Sequence, residues 1–150
     1  MNNMLLLVED NPTDEKLTVH AFKNCGVDIK LDIVRDGAEA LDYLFGTGQH
    51  AGRDTDYLPA AVLLDLNLPR IDGHEVLRQI RADRRTRLLP VVILTASTED
   101  EDVYRSYSLG ANAYVRKPVD FKEFARAAGT LGVFWFMMNQ GPSRPHGAHG

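Results

Sequence analysis

The chain predicts an α/β fold, with one domain built on a parallel sheet covered by helices on both faces. Short apolar runs alternate with amphipathic stretches along its length, the pattern of repeated βα units. The later runs are leucine-rich or β-branched without strict alternation, as expected of strands buried on both faces. Four of the runs end in acids, a hydroxyl or an amine. In an open α/β sheet the carboxyl ends of the strands are where ligands bind.

The elements follow in order. Met4-Leu5-Leu6-Leu7-Val8 forms a strand over 4–9 and delivers Glu9-Asp10. Asn11-Pro12 opens a helix over 13–25, which Gly26 closes. A second strand spans 29–35, and Asp36-Gly37 opens a helix over 37–45. Positions 46–59 form a polar connection with three glycines, at the upper end of ordinary loop lengths, either a surface excursion or a partner-binding loop, with the first reading preferred. The third strand, 60–65, ends in Asp65. An ionised carboxylate inside so apolar a strand would be expensive to desolvate, so its place is the strand's exit. Asp72-Gly73 opens a helix over 73–82. The fourth strand, 91–95, delivers Thr95, and the helix over 99–109 is closed by Gly110. The fifth, 113–116, leads through Arg116 into Lys117-Pro118.

A last helix is expected over 120–138. Phe121, Phe124, Ala128 and Leu131 mark its core face. Val133-Phe134-Trp135-Phe136-Met137-Met138 is apolar all round, more than one buried stripe requires, and predicts a homodimer through this helix. Residues 139–150 have the composition of a flexible tail. The expected organisation is one domain over 1–138 with no output domain.

Composition narrows the function. At 150 residues the chain can bury one substantial core. A net charge of -4 argues against binding nucleic acid through bulk electrostatics. The single cysteine, Cys25, excludes an internal disulfide framework and reads as a packing residue. Neither a signal peptide nor a run approaching the roughly 20 apolar residues of a membrane span is visible, so a cytoplasmic protein is expected.

Glu9, Asp10 and Asp65 leave the first and third strands, which are neighbours in the flavodoxin-like order 2-1-3-4-5 of a three-layered, doubly wound five-stranded sheet. Three converging carboxylates raise one another's pKa unless a cation neutralises them. An all-oxygen set suits Mg²⁺ better than zinc. Asp65 is then a candidate nucleophile of the aspartyl-phosphate kind. Phosphoryl transfer needs positioning and positive charge, which Mg²⁺ and Lys117 supply, while the Thr95 hydroxyl can donate to a phosphoryl oxygen. Pro118 restricts the backbone at Lys117 and fixes where the amine points.

Glu9-Asp10, Asp65, Thr95-Ala96 and Lys117-Pro118, each behind its strand, resemble the receiver domain of two-component response regulators over about residues 4–137. The resemblance implies that a partner histidine kinase phosphorylates Asp65. It implies Mg²⁺ held by Asp10, Asp65 and the backbone carbonyl of Asn67, with Glu9 reaching it through water. It implies a switch in which the Thr95 hydroxyl moves onto the phosphoryl group and Tyr114 turns inward, reshaping the face of the last two helices and last strand. The Lys117–Pro118 peptide bond is usually cis in that family. Asn67 and Ser97 stand two positions past the acceptor and the hydroxyl, where the family tunes phosphoryl lifetime. The long loop before Leu58-Pro59, the run Leu66-Asn67-Leu68-Pro69 and the lack of an output domain are similar to small regulators partnered with bacterial phytochromes.

Other features read plainly. His74, near a helix start, is expected to be solvated. Arg78, Arg81, Arg84, Arg85 and Arg87 are expected to form a solvated face complementing a helix dipole. The competing function is a phosphatase of the haloacid-dehalogenase type, which also uses a nucleophilic Asp. Such enzymes carry a second Asp two residues later, where this chain has Asn67, and their nucleophile follows the first strand. A flavin-binding module would need a phosphate loop where Glu9-Asp10 would repel phosphate. A Ca²⁺ loop starting at Asp65 fails because Pro69 replaces an oxygen ligand.

Overall fold

The computed structural model describes residues 3–24 and 26–117, and beyond these only positions 122, 123, 126, 127 and 130. Five strands form one parallel sheet in the order β2-β1-β3-β4-β5. They are β1 (Met4–Val8), β2 (Lys30–Val34), β3 (Ala61–Leu64), β4 (Val91–Thr95) and β5 (Ala113–Arg116). Between them lie α1 (Pro12–Lys23), α2 (Gly37–Phe45), α3 (Gly73–Ala82) and α4 (Asp100–Ser108). This is the doubly wound order predicted above. Pro118, Cys25, the core face and apolar run of the predicted last helix and the 139–150 tail lie outside the described residues.

Alternation along the central strands divides the core into two layers. Leu6, Val8, Val62, Leu64, Val91 and Ile93 face α2 and α3, packing on Ala40, Leu44, Val76, Leu77 and Ile80. Leu5, Leu7, Leu63, Val92 and Leu94 face the other way, against Ala21 and Phe22 of α1. Burial on both faces explains the near-continuous apolar runs of the sequence.

The helices begin where the sequence indicates. Asn11, Asp36 and Asp72 are N-caps whose side chains accept from backbone N–H groups two or three residues on. Gly73 is fixed by close approach: a Cβ there would stand 2.3 Å from the carbonyl oxygen of Asp65. The start of α3 thus packs directly behind the end of β3.

Two expectations need correction. His74 is not solvated. It is buried between α3 and α4, with Nε2 3.0 Å from the Ser106 Oγ, because the first turn of α3 faces the core. Nor is Arg81 part of a solvated face. Its guanidinium donates to the carbonyls of Arg87, Leu89 and Gly110 and to Asn112 Oδ1, tying α3 to the starts of β4 and β5. Arg78 pairs with Glu75 and Arg85 with Asp83, so part of the run is internally neutralised. The 46–59 connection folds back on α2: Arg53 donates to the Tyr43 and Tyr57 carbonyls and stacks 3.9 Å over the Tyr43 ring.

Candidate functional site

The site is assembled from the carboxyl ends of β1, β3, β4 and β5. Parallel pairing sets Val8 opposite Leu64, so Glu9 and Asp65 emerge side by side. Backbone bonds extend the sheet past the strands: Asp65 N–H donates to the Val8 carbonyl at 3.1 Å, and Glu9 N–H to that of Val34 at 3.0 Å. On the other side Lys117 N–H donates to the Thr95 carbonyl at 2.6 Å. Glu9, Asp65, Thr95 and Lys117 are all buried, while Asp10 is exposed at the rim. Burying four polar side chains is costly unless each is bonded.

Lys117 answers most of that demand. Its amine donates to Glu9 Oε1, to Asp65 Oδ2 at 2.8 Å and to Asp14 Oδ2 at 3.0 Å. The second oxygens are also engaged. Glu9 Oε2 accepts from Asn11 N–H at 3.3 Å, and Asp65 Oδ1 from Asn67 N–H at 3.2 Å. Asn67 itself is exposed, in the loop after β3.

One amine does not neutralise this many acids. Burial pushes the Glu9 carboxyl up to about 7, and the neighbouring Asp65 adds to the rise against the pull of Lys117. Burial would lower the Lys117 amine, but its bonds to Asp65 and Glu9 outweigh that and hold it above its usual range. Glu9, Asp10 and Asp65 each offer a carboxylate oxygen, and these lie within 4.8 Å of one another. An oxygen-only set, short of positive charge and open at Asp10, fits a hard divalent cation such as Mg²⁺.

Thr95 and Tyr114 bound the other side. Thr95 is fully buried, and its Oγ1 lies 3.5 Å from Ser97 N–H. The Tyr114 hydroxyl donates to the Ser97 carbonyl at 3.2 Å, so the switch candidate rests on the loop between β4 and α4. Ser97 is further fixed by donating to Asp102 Oδ2 at 2.6 Å.

The structure thus brings Glu9, Asp10, Asp65, Thr95 and Lys117 to one edge, as their strand-end positions predict. The sequence reading missed Asp14. A first-turn acid looks like a dipole-complementing residue, and Lys117 lies 103 positions away. Asp102 was missed for a similar reason, as one of three acids opening α4.

The comparisons agree with this geometry. A family model described as "Response regulator receiver domain" matches residues 5–128. The chain is 43% identical over 139 residues to the probable methanogenesis regulatory protein FilR2 of Methanothrix harundinacea, covering 93% of this chain and 87% of that protein. Over 132 residues it is 36% identical to response regulator Rcp1 of Synechocystis, covering 88% of each. The crystal structure of Rcp1 in its Mn²⁺-bound form superposes with a TM-score of 0.86 at 35% identity, covering 94% of this chain and 99% of that one. The structure of the phosphorylated cyanobacterial phytochrome response regulator RcpA gives a TM-score of 0.88 at 36% identity, covering 95% of this chain and 100% of that one. The haloacid-dehalogenase alternative finds no support, since the family match runs through every strand and Asp65 follows the third. Among the described residues no helix is long and apolar enough to cross a membrane. The chain belongs to the response regulator receiver domain family, whose members are signalling switches of two-component systems rather than enzymes.

Proposed function

We propose that Asp65 accepts a phosphoryl group from a sensor histidine kinase, and that the change is read on the face containing α4 and β5. The observation that carries this reading is the buried ion pair of Asp65 with Lys117, at a sheet edge that also holds Glu9, Asp10 and Thr95. An Asp65 carboxylate oxygen attacks phosphorus and forms an acyl phosphate. The phosphorus–nitrogen bond to the kinase histidine breaks, its electron pair stays on the ring nitrogen, and that nitrogen takes up a proton from water.

Asp10, Asp65 and the Asn67 carbonyl would hold Mg²⁺, with Glu9 reaching it through water, and the ion would supply positive charge to the phosphoryl oxygens. Lys117 already donates to Asp65 Oδ2 and is placed to grip the group that forms there. The Thr95 hydroxyl donates to a phosphoryl oxygen, and the Tyr114 hydroxyl leaves the Ser97 carbonyl as the ring turns inward. Similarity to RcpA supports a kinase of the bacterial phytochrome kind. The apolar run 133–138 supports a homodimer through the last helix, which light scattering in both phosphorylation states tests.

Incubation with Mg²⁺ and acetyl phosphate, or with a competent kinase, should add one phosphoryl group detectable by intact mass. Asp65→Asn and chelation of the metal should each abolish the adduct. A wild-type chain that stays unmodified with competent donors would overturn the proposal.

A further inference from the structure

Asp14 is the third residue of α1 after its cap, following Asn11 at the cap and Pro12 at the first helical position. An acid or amide there ordinarily reaches back to the cap's backbone N–H and closes a capping box. In this chain that N–H is already taken, because Asn11 N–H donates to Glu9 Oε2. The Asp14 carboxylate is released from capping and pairs instead with the Lys117 amine. Pro12 and the Asn11 side chain, which accepts from Thr13 N–H and Asp14 N–H, hold the helix start in place without it.

An ammonium has three N–H donors, and those of Lys117 go to three carboxylates. Two of them, Glu9 and Asp65, belong to the oxygen cluster suited to a divalent cation, and Asp14 does not. A cation entering the cluster competes with the amine for two of its three partners and repels it as a like charge. Asp14 is the partner left over. Its side chain is 28% exposed, against 1% for Glu9 and 8% for Asp65, so water offsets the cost of keeping its charge.

We propose that Asp14 is a positioning residue, one that keeps the Lys117 amine beside Asp65 while a divalent cation occupies the acidic cluster of Glu9, Asp10 and Asp65. The inference rests on the metal site given under the proposed function. Without Asp14 the amine has to share every partner it has with the cation, and its like charge then weakens cation binding.

A double-mutant cycle read by Mg²⁺ calorimetry tests this, with MgCl₂ as the probe. Asp14→Asn should weaken Mg²⁺ binding about fivefold when Lys117 is present and less than about twofold in a Lys117→Met background. Asp14→Glu should restore most of the affinity. Equal losses in both backgrounds would make Asp14 a remote charge only, and no loss in either would remove its role; both results overturn the proposal. Should Lys117→Met fail to fold, amine hydrogen exchange by NMR decides the same point. Mg²⁺ should leave the Lys117 amine protected in wild type and unprotected in Asp14→Asn, and equal exchange overturns the proposal. Phosphorylation is scored separately by mass. A chain labelled on Asp65 with no coupling defeats this inference alone, and coupling without labelling defeats only the acceptor role.

Discussion

Lys117 and Arg81 are cations drawn into opposite edges of one sheet, and their partners differ in kind. Lys117, at the carboxyl edge, is surrounded by the carboxylates of Glu9, Asp14 and Asp65. Arg81, at the amino edge, donates to three backbone carbonyls and the Asn112 amide oxygen. Burial pulls the Arg81 guanidinium below its usual range, since neutral dipoles do not make up for lost water. The Lys117 amine moves the other way because its carboxylate partners outweigh the same penalty. A carbonyl fixed in the main chain has no second claimant, and Gly110 leaves room for the clamp, for a Cβ there would stand 3.0 Å from Arg81 Nε. A carboxylate can be claimed by a metal or converted to an acyl phosphate. One edge is locked by neutral groups, and the other is held by charges that can be exchanged.

Lys117→Met tests that contrast hardest. It strands Glu9 and Asp65 as buried acids without their counter-charge, and losing one partner of a buried pair costs about 3 kcal/mol. The urea midpoint should fall sharply in chelator and recover substantially in Mg²⁺, because a cation replaces the amine. A midpoint indifferent to Mg²⁺ would mean that the carboxyl edge is structural like the other. Arg81→Met should cost about 2 kcal/mol by leaving the part-buried Leu89 and Gly110 carbonyls without this donor, and Mg²⁺ should restore none of it. Any metal-dependent recovery there would show that the two edges are coupled.

The smallest effect is expected at Tyr43, whose hydroxyl donates to Asp32 Oδ2 at 2.6 Å beside the start of β1. Burial first, and the Asp32 bond second, push its pKa up to about 12. A folded pKa above the unfolded value means that this stabilisation is whole below pH about 10 and is lost as pH rises through about 12. Tyr43→Phe should cost about 1 kcal/mol at neutral pH and flatten that alkaline decline in thermal unfolding scans. A decline of unchanged slope would assign it to another group.

Much of the site was legible because Glu9, Asp65 and Thr95 each end an apolar run, and Lys117 follows β5 through Arg116. A carboxylate or hydroxyl that closes a run of buried residues has to appear at the sheet's edge, and parallel order brings those edges together. The misreadings have a common cause. His74 stands three residues before Leu77 on the buried stripe of α3, so periodicity carried a signal for its burial. The partner that satisfies it, Ser106, lies 32 positions away on α4. Arg81 likewise sits on a helix rich in arginine, while Gly110 lies 29 positions on, in the turn after α4.

The sequence by itself determined the chain order of the five strands and the four described helices, the caps at Asn11, Asp36 and Asp72, and which chemistry stands at which strand end. Hydrophobic period and capping are local properties, readable within a turn or two of chain. Only the tertiary structure decided which acids hold Lys117, how α1 frees Asp14 to be one of them, and which cation is clamped by carbonyls instead. Choosing a counter-ion depends on where a flexible stem meets groups from 52 to 108 residues away once the sheet has closed. No local pattern carries that distance.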